Sequence, residues 1–124
     1  MGRTAGVFLL VSVAPLWAAD AGVGEWPQWR GPERTGLSSE TGLLTKWPDA
    51  GPKLAWKITG LGDGYSTPSF SGGKIYLLGT KGNDEYLICL EGKDGAKVWD
   101  LKIGTKTGGY PAPRSTPTID KGHA

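Results

Sequence analysis

Ser66-Thr67-Pro68-Ser69-Phe70-Ser71-Gly72-Gly73-Lys74 is echoed, at an offset of 49 residues, by Ser115-Thr116-Pro117-Thr118-Ile119-Asp120-Lys121-Gly122-His123. A second echo pairs Lys53-Leu54-Ala55-Trp56-Lys57-Ile58 with Ala96-Lys97-Val98-Trp99-Asp100-Leu101, and its tryptophans stand 43 residues apart. The longer loop Gly104 to Arg114 accounts for the difference. Self-similarity at a fixed period marks a repeat architecture.

The residues between the echoes read as strands and tight turns. Lys53 to Ile58 alternates polar and apolar residues, the period of a strand with one buried face. Gly60 to Gly64 follows as a loop, then Tyr65 to Phe70 as a short strand that Pro68 confines to an edge or a bulge. Lys74 to Gly79, Glu85 to Leu90 and Ala96 to Ile103 complete a four-stranded meander. Its turns are Ser71 to Gly73, Lys81 to Asp84 and Glu91 to Gly95, and Asp94-Gly95 supplies the positive-φ residue that a tight hairpin needs. Four strands per unit with a period in the forties is the pattern of a propeller blade. The fold class expected is therefore all-β: a β-propeller fragment of about one four-stranded antiparallel blade plus the start of the next. Lys53 to Ile58 precedes that blade and resembles an outermost strand, so it is expected to complete the last blade of a ring and remove an open edge. The pattern restarts at Ser115 and stops at Ala124, which reads as a ring continuing beyond this sequence.

Two segments precede the repeats. Residues 1–19 have a short positive region at Arg3, an apolar stretch from Ala5 to Trp17 and small residues at Ala18 and Ala19, the layout of a secretory signal peptide. The stretch is shorter than the roughly 20 apolar residues of a membrane helix, so an exported protein, periplasmic or extracellular, is expected. Residues 20–52 form an irregular leader rich in Trp, Pro and Gly, with at most one helical turn near Ser39 to Leu44 capped by Ser38 or Ser39. Its three tryptophans imply that it packs on something. Residues 53–124 are the repeats.

The repeat carries a family resemblance. Leu87-Ile88-Cys89-Leu90-Glu91-Gly92-Lys93-Asp94-Gly95-Ala96-Lys97-Val98-Trp99 resembles the PQQ-like (pyrroloquinoline-quinone-type) β-propeller repeat. Glu91 stands where that repeat commonly has an acid, Gly95, Lys97 and Trp99 match, and Cys89 replaces the usual alanine. The Ser-Thr-Pro segments match the start of its inner strand. The leader Trp26-Pro27-Gln28-Trp29-Arg30-Gly31-Pro32 is similar to the opening segment of secreted bacterial PQQ-binding-like and BamB-like proteins. The resemblance implies that Trp56, Gly95 and Trp99 dock neighbouring blades and touch no cofactor.

The chemistry-bearing residues are sparse. Gly60-Leu61-Gly62-Asp63-Gly64 looks like a phosphate loop, but a strand follows it where a phosphate cradle needs a helix. The single histidine, His123, has no catalytic partners at recognisable spacing. The single cysteine, Cys89, lies in an apolar run and reads as a small buried hydrophobe. The turn acids Asp84, Glu85, Glu91 and Asp94 have neither zinc nor calcium spacing, so no metal site is expected. The formal net charge of +2, without a basic block, does not support nucleic-acid binding. Tyr110-Pro111-Ala112-Pro113-Arg114 precedes an inner strand at one end of the expected ring, and Tyr110 and Arg114 are its candidate ligand-contacting residues.

Two functions are expected from the resemblance. The first is a non-catalytic binding or assembly platform of the BamB-like kind, with protein or carbohydrate partners at the propeller face. The alternative is a quinoprotein alcohol or sugar dehydrogenase, which would hold PQQ and calcium on the ring axis. Such enzymes typically carry a vicinal cysteine pair, which this sequence lacks. No catalytic constellation is present, so enzyme status stays open, as do blade number, ligand and partner.

Overall fold

The structure is a computed structural model that describes residues 24–106 and 112–124. The signal-peptide reading of residues 1–19 and the ligand-loop residue Tyr110 lie outside the described residues. Among the described residues the chain is all-β, with one antiparallel sheet and no helix. The strands are β1 (Ser69–Ser71), β2 (Lys74–Lys81), β3 (Asp84–Glu91) and β4 (Lys97–Thr105), in the spatial order β1-β2-β3-β4.

Local sequence explains the connections. Gly72 and Gly73 both take positive φ (57° and 74°) between β1 and β2. That is the I′ geometry whose twist matches the flanking strands. Between β2 and β3 only the first central residue, Gly82, has positive φ (63°), which is the II′ pattern. Between β3 and β4 the amide of Gly95 (φ 71°) donates to the Glu91 carbonyl at 2.8 Å, and the Glu91 amide donates to the Ala96 carbonyl at 2.8 Å. The β3–β4 ladder has two register shifts, at Glu85/Tyr86 and Cys89/Leu90.

The sheet has two different faces. Tyr76, Cys89 and Trp99 are cross-strand neighbours on one, followed by Leu78, Leu87 and Leu101. The other face starts apolar, with Leu77 beside Ile88 and Ile75 beside Leu90, and becomes charged at β4. There Asp100 accepts from Lys81 at 2.9 Å and Lys97 at 3.0 Å, and Lys102 pairs with Asp84 at 2.8 Å. The core centres on β3, whose Ile88 and Cys89 are fully buried and whose Leu90 is nearly so. A strand flanked along its whole length on both sides is where burial of apolar surface is greatest.

Three sequence expectations need correction. Lys53 to Ile58 joins no ladder among the described residues; the Trp56 indole ties it to the β3–β4 hairpin instead. The inner strand is shorter than Tyr65 to Phe70 and begins at Ser69. Pro68 has no N–H to donate, and the Leu78 amide donates to Ser66 Oγ at 3.2 Å in place of a ladder carbonyl. No helical turn forms over Ser39 to Leu44. Ser38 Oγ accepts from the Glu40 amide at 3.2 Å, a local side-chain turn that competes with helix.

Candidate functional site

The most organised region outside the sheet lies along its β1 edge, where both copies of the Ser-Thr-Pro segment meet. The Tyr65 amide donates to the Pro113 carbonyl at 3.0 Å, and Ser69 Oγ donates to the Pro117 carbonyl. Both partners advance by four residues, so the two segments run parallel. The next turn repeats as well. Asp120 and His123 form an antiparallel bridge around Lys121 (φ 47°) and Gly122 (φ 79°), the same two positive-φ centres as Gly72-Gly73.

The leader passes along this edge. The Trp26 amide donates to the Phe70 carbonyl at 2.8 Å, and the Phe70 amide donates back to the Trp26 carbonyl at 2.9 Å. One residue on, the Pro27 carbonyl accepts from the Ile119 amide at 2.8 Å. Glu25 Oε1 accepts from the Gly72 amide at 2.8 Å. The Trp26 ring folds over Gly31, where a Cβ would lie 2.9 Å from it, so only glycine fits beneath.

The glycine-rich loop has a packing role. Asp63 and Thr80 exchange both backbone hydrogen bonds, at 2.8 and 3.0 Å. A Cβ on Gly62 would run into the Thr80 carbonyl oxygen. The loop lies directly against β2, and a strand follows it; neither feature makes a phosphate cradle.

Trp56, Gly95 and Trp99 occupy different surroundings. The Trp56 indole lies over Gly95, with Cε3 2.6 Å from where a Cβ would stand, and its Nε1 donates to the Gly92 carbonyl at 3.2 Å. Trp99 is 38% exposed and tilts at 56° against Tyr76, with ring centroids 6.1 Å apart. Trp56 is thus anchored on the β3–β4 hairpin, whereas Trp99 leaves part of its ring open. Arg114 is exposed at the start of the second Ser-Thr-Pro segment.

Titratable chemistry is modest. Burial pushes the Cys89 thiol above its ordinary value, against a partly compensating hydrogen bond from Tyr76. Burial likewise raises the Tyr76 phenol, assisted by repulsion from Cys89. A raised thiol pKa makes Cys89 a poor nucleophile. Hydrogen bonds from Lys81 and Lys97 lower the Asp100 carboxyl. Among the described residues no three His, Cys, Asp or Glu side chains come together to hold a metal. No helix among them is long and apolar enough to cross a membrane.

No family model, curated protein or solved structure matches the chain. The echoes single out Trp56, Gly95, Trp99 and the two Ser-Thr-Pro segments, but not that Trp56 lies over Gly95 or that the two segments run parallel. The leader's contact with β1 was not accessible either, because a single residue pair bridging two edges leaves no periodic signal. The tryptophans only indicated that the leader packs.

Proposed function

We propose that the chain is part of an exported β-propeller of PQQ-like repeats that serves as a non-catalytic binding or assembly platform. The observation that carries this reading is the parallel alignment of the two Ser-Thr-Pro segments. In a propeller the innermost strands of successive blades run side by side around the axis, and the turn at Lys121-Gly122, which repeats that of Gly72-Gly73, supports reading the second segment as the start of another meander. Trp56 over Gly95 supports it further, because it links the segment before the sheet to the sheet's last hairpin. The platform role is supported by exposed large side chains, among them Trp29, Trp47 and Tyr65.

The test uses the protein isolated from its native compartment. It is supplied with PQQ and calcium and offered alcohols and sugars with a dye acceptor. In parallel, a photo-crosslinking amino acid at Arg114 reports what the inner end touches. The platform reading expects no dye reduction and one saturable crosslinked partner. Turnover, or crosslinks no different from those of an unfolded control, would overturn it.

A further inference from the structure

The leader's hydrogen bonds define a recognition pattern. Along one line the β1 edge presents three backbone donors, the amides of Phe70, Gly72 and Ile119, and one acceptor, the Phe70 carbonyl. The leader answers with three acceptors, the Trp26 and Pro27 carbonyls and the Glu25 carboxylate, and one donor, the Trp26 amide. Each position has a chemical reason. A proline fits after the aromatic residue because only its carbonyl is used, and the missing N–H leaves nothing unsatisfied. A carboxylate fits before it because it reaches a lone turn amide as a charge-assisted acceptor. The aromatic ring needs a glycine five residues on, as Gly31 lies beneath Trp26. Phe70 and Ile119 are equivalent positions of the two echoes, so the segment is read by one residue from each copy.

We propose that the slot between β1 and residues 117–119 is a peptide-recognition site for an extended acid–aromatic–proline segment, and that the chain's own leader occupies it in cis. Strand addition to an exposed edge is a general mode of peptide binding, with backbone bonds giving affinity and side chains giving selectivity. A tethered occupant competes intramolecularly, at an effective concentration set by the length and stiffness of the chain that joins it to the slot. The slot of the unaltered chain is therefore closed to weak external peptides and opens to them when the leader is displaced. This inference stands on the leader's contacts alone and does not depend on the propeller reading.

The test uses the full chain carrying Glu25→Ala and Trp26→Pro, which together remove the carboxylate and the amide donor that the leader presents to the slot. A fluorescein-labelled peptide of residues Gly24 to Pro32 is titrated into it and followed by anisotropy. Saturable binding at least tenfold tighter than to the unaltered chain is expected, with no binding of a scrambled peptide. If the altered chain keeps slow amide exchange in β2 and β3 yet binds neither peptide, or binds both alike, the inference is overturned. Exchange in the unaltered chain gives a reading that does not require that variant to fold. The Trp26, Phe70, Gly72 and Ile119 amides are expected to be slow, and Glu25→Gln should speed Gly72 at least fivefold. Exchange at Ile119 as fast as in an unfolded peptide would overturn it.

Discussion

Replacing Gly95 by alanine tests the contact that fastens the N-terminal part of the repeats to the sheet. Gly95 has φ 71°, so any L side chain there meets left-handed strain of about 1–2 kcal/mol. The added methyl would also lie 2.6 and 2.7 Å from Trp56 Cε3 and Cζ3. The ring must withdraw by about 1 Å to reach ordinary carbon–carbon separation. That movement breaks the indole hydrogen bond to Gly92, worth about 1 kcal/mol, and forfeits part of the ring's packing, about 1 kcal/mol more. The expected total is about 3–4 kcal/mol. Gly82→Ala is the matched control: its φ is also positive, at 63°, but nothing lies within 4 Å of the new methyl, so only the backbone strain of about 1–2 kcal/mol remains. Urea unfolding followed by far-ultraviolet circular dichroism measures both. Repeating both substitutions in a Trp56→Ala background should bring their effects within about 0.5 kcal/mol of each other, as expected once the contact is gone. If Gly95→Ala and Gly82→Ala already match in the unaltered chain, or stay apart without the indole, the docking argument fails.

Two further outcomes follow from the sheet. Thr80 is 4% exposed and its Oγ1 has no hydrogen-bond partner among the described residues, so Thr80→Val, which keeps the shape and removes the hydroxyl, should raise stability by about 1 kcal/mol in the same urea assay; a loss of stability would show that the hydroxyl has a role. The Asp100 carboxyl is lowered by Lys81 and Lys97, so its contribution is present above the ordinary aspartate value of about 4 and disappears as pH falls through the lower folded value; Asp100→Asn should flatten the fall of stability with acid below about pH 4, and an unchanged acid limb would refute the assignment.

The meander was legible in the sequence because three of its strands are apolar enough, and its turns glycine-rich enough, for alternation and turn chemistry to agree. Lys74 to Gly79, Glu85 to Leu90 and Ala96 to Ile103 each differ from the observed strands by no more than two residues at an end. Lys53 to Ile58 shows the limit of the method. Its alternation is genuine, but alternation records which side chains are apolar and says nothing about whether a neighbouring strand exists. The Ser-Thr-Pro segment shows another. Proline and a hydroxyl that substitutes for a ladder carbonyl shorten β1 without changing the apolar pattern. At the β1 edge, the echoes identify the equivalent residues Phe70 and Ile119, while the third participant, Trp26-Pro27, is brought in only by tertiary structure.

The two places where β3 and β4 lose register have an effect on the outside of the sheet. Each extra residue bends β4, so its far side offers incoming backbone a broken rather than a continuous row of donors and acceptors. Lysines at 97 and 102 add charge along the same margin. A growing fibril needs a flat, uninterrupted template, and this border denies it one.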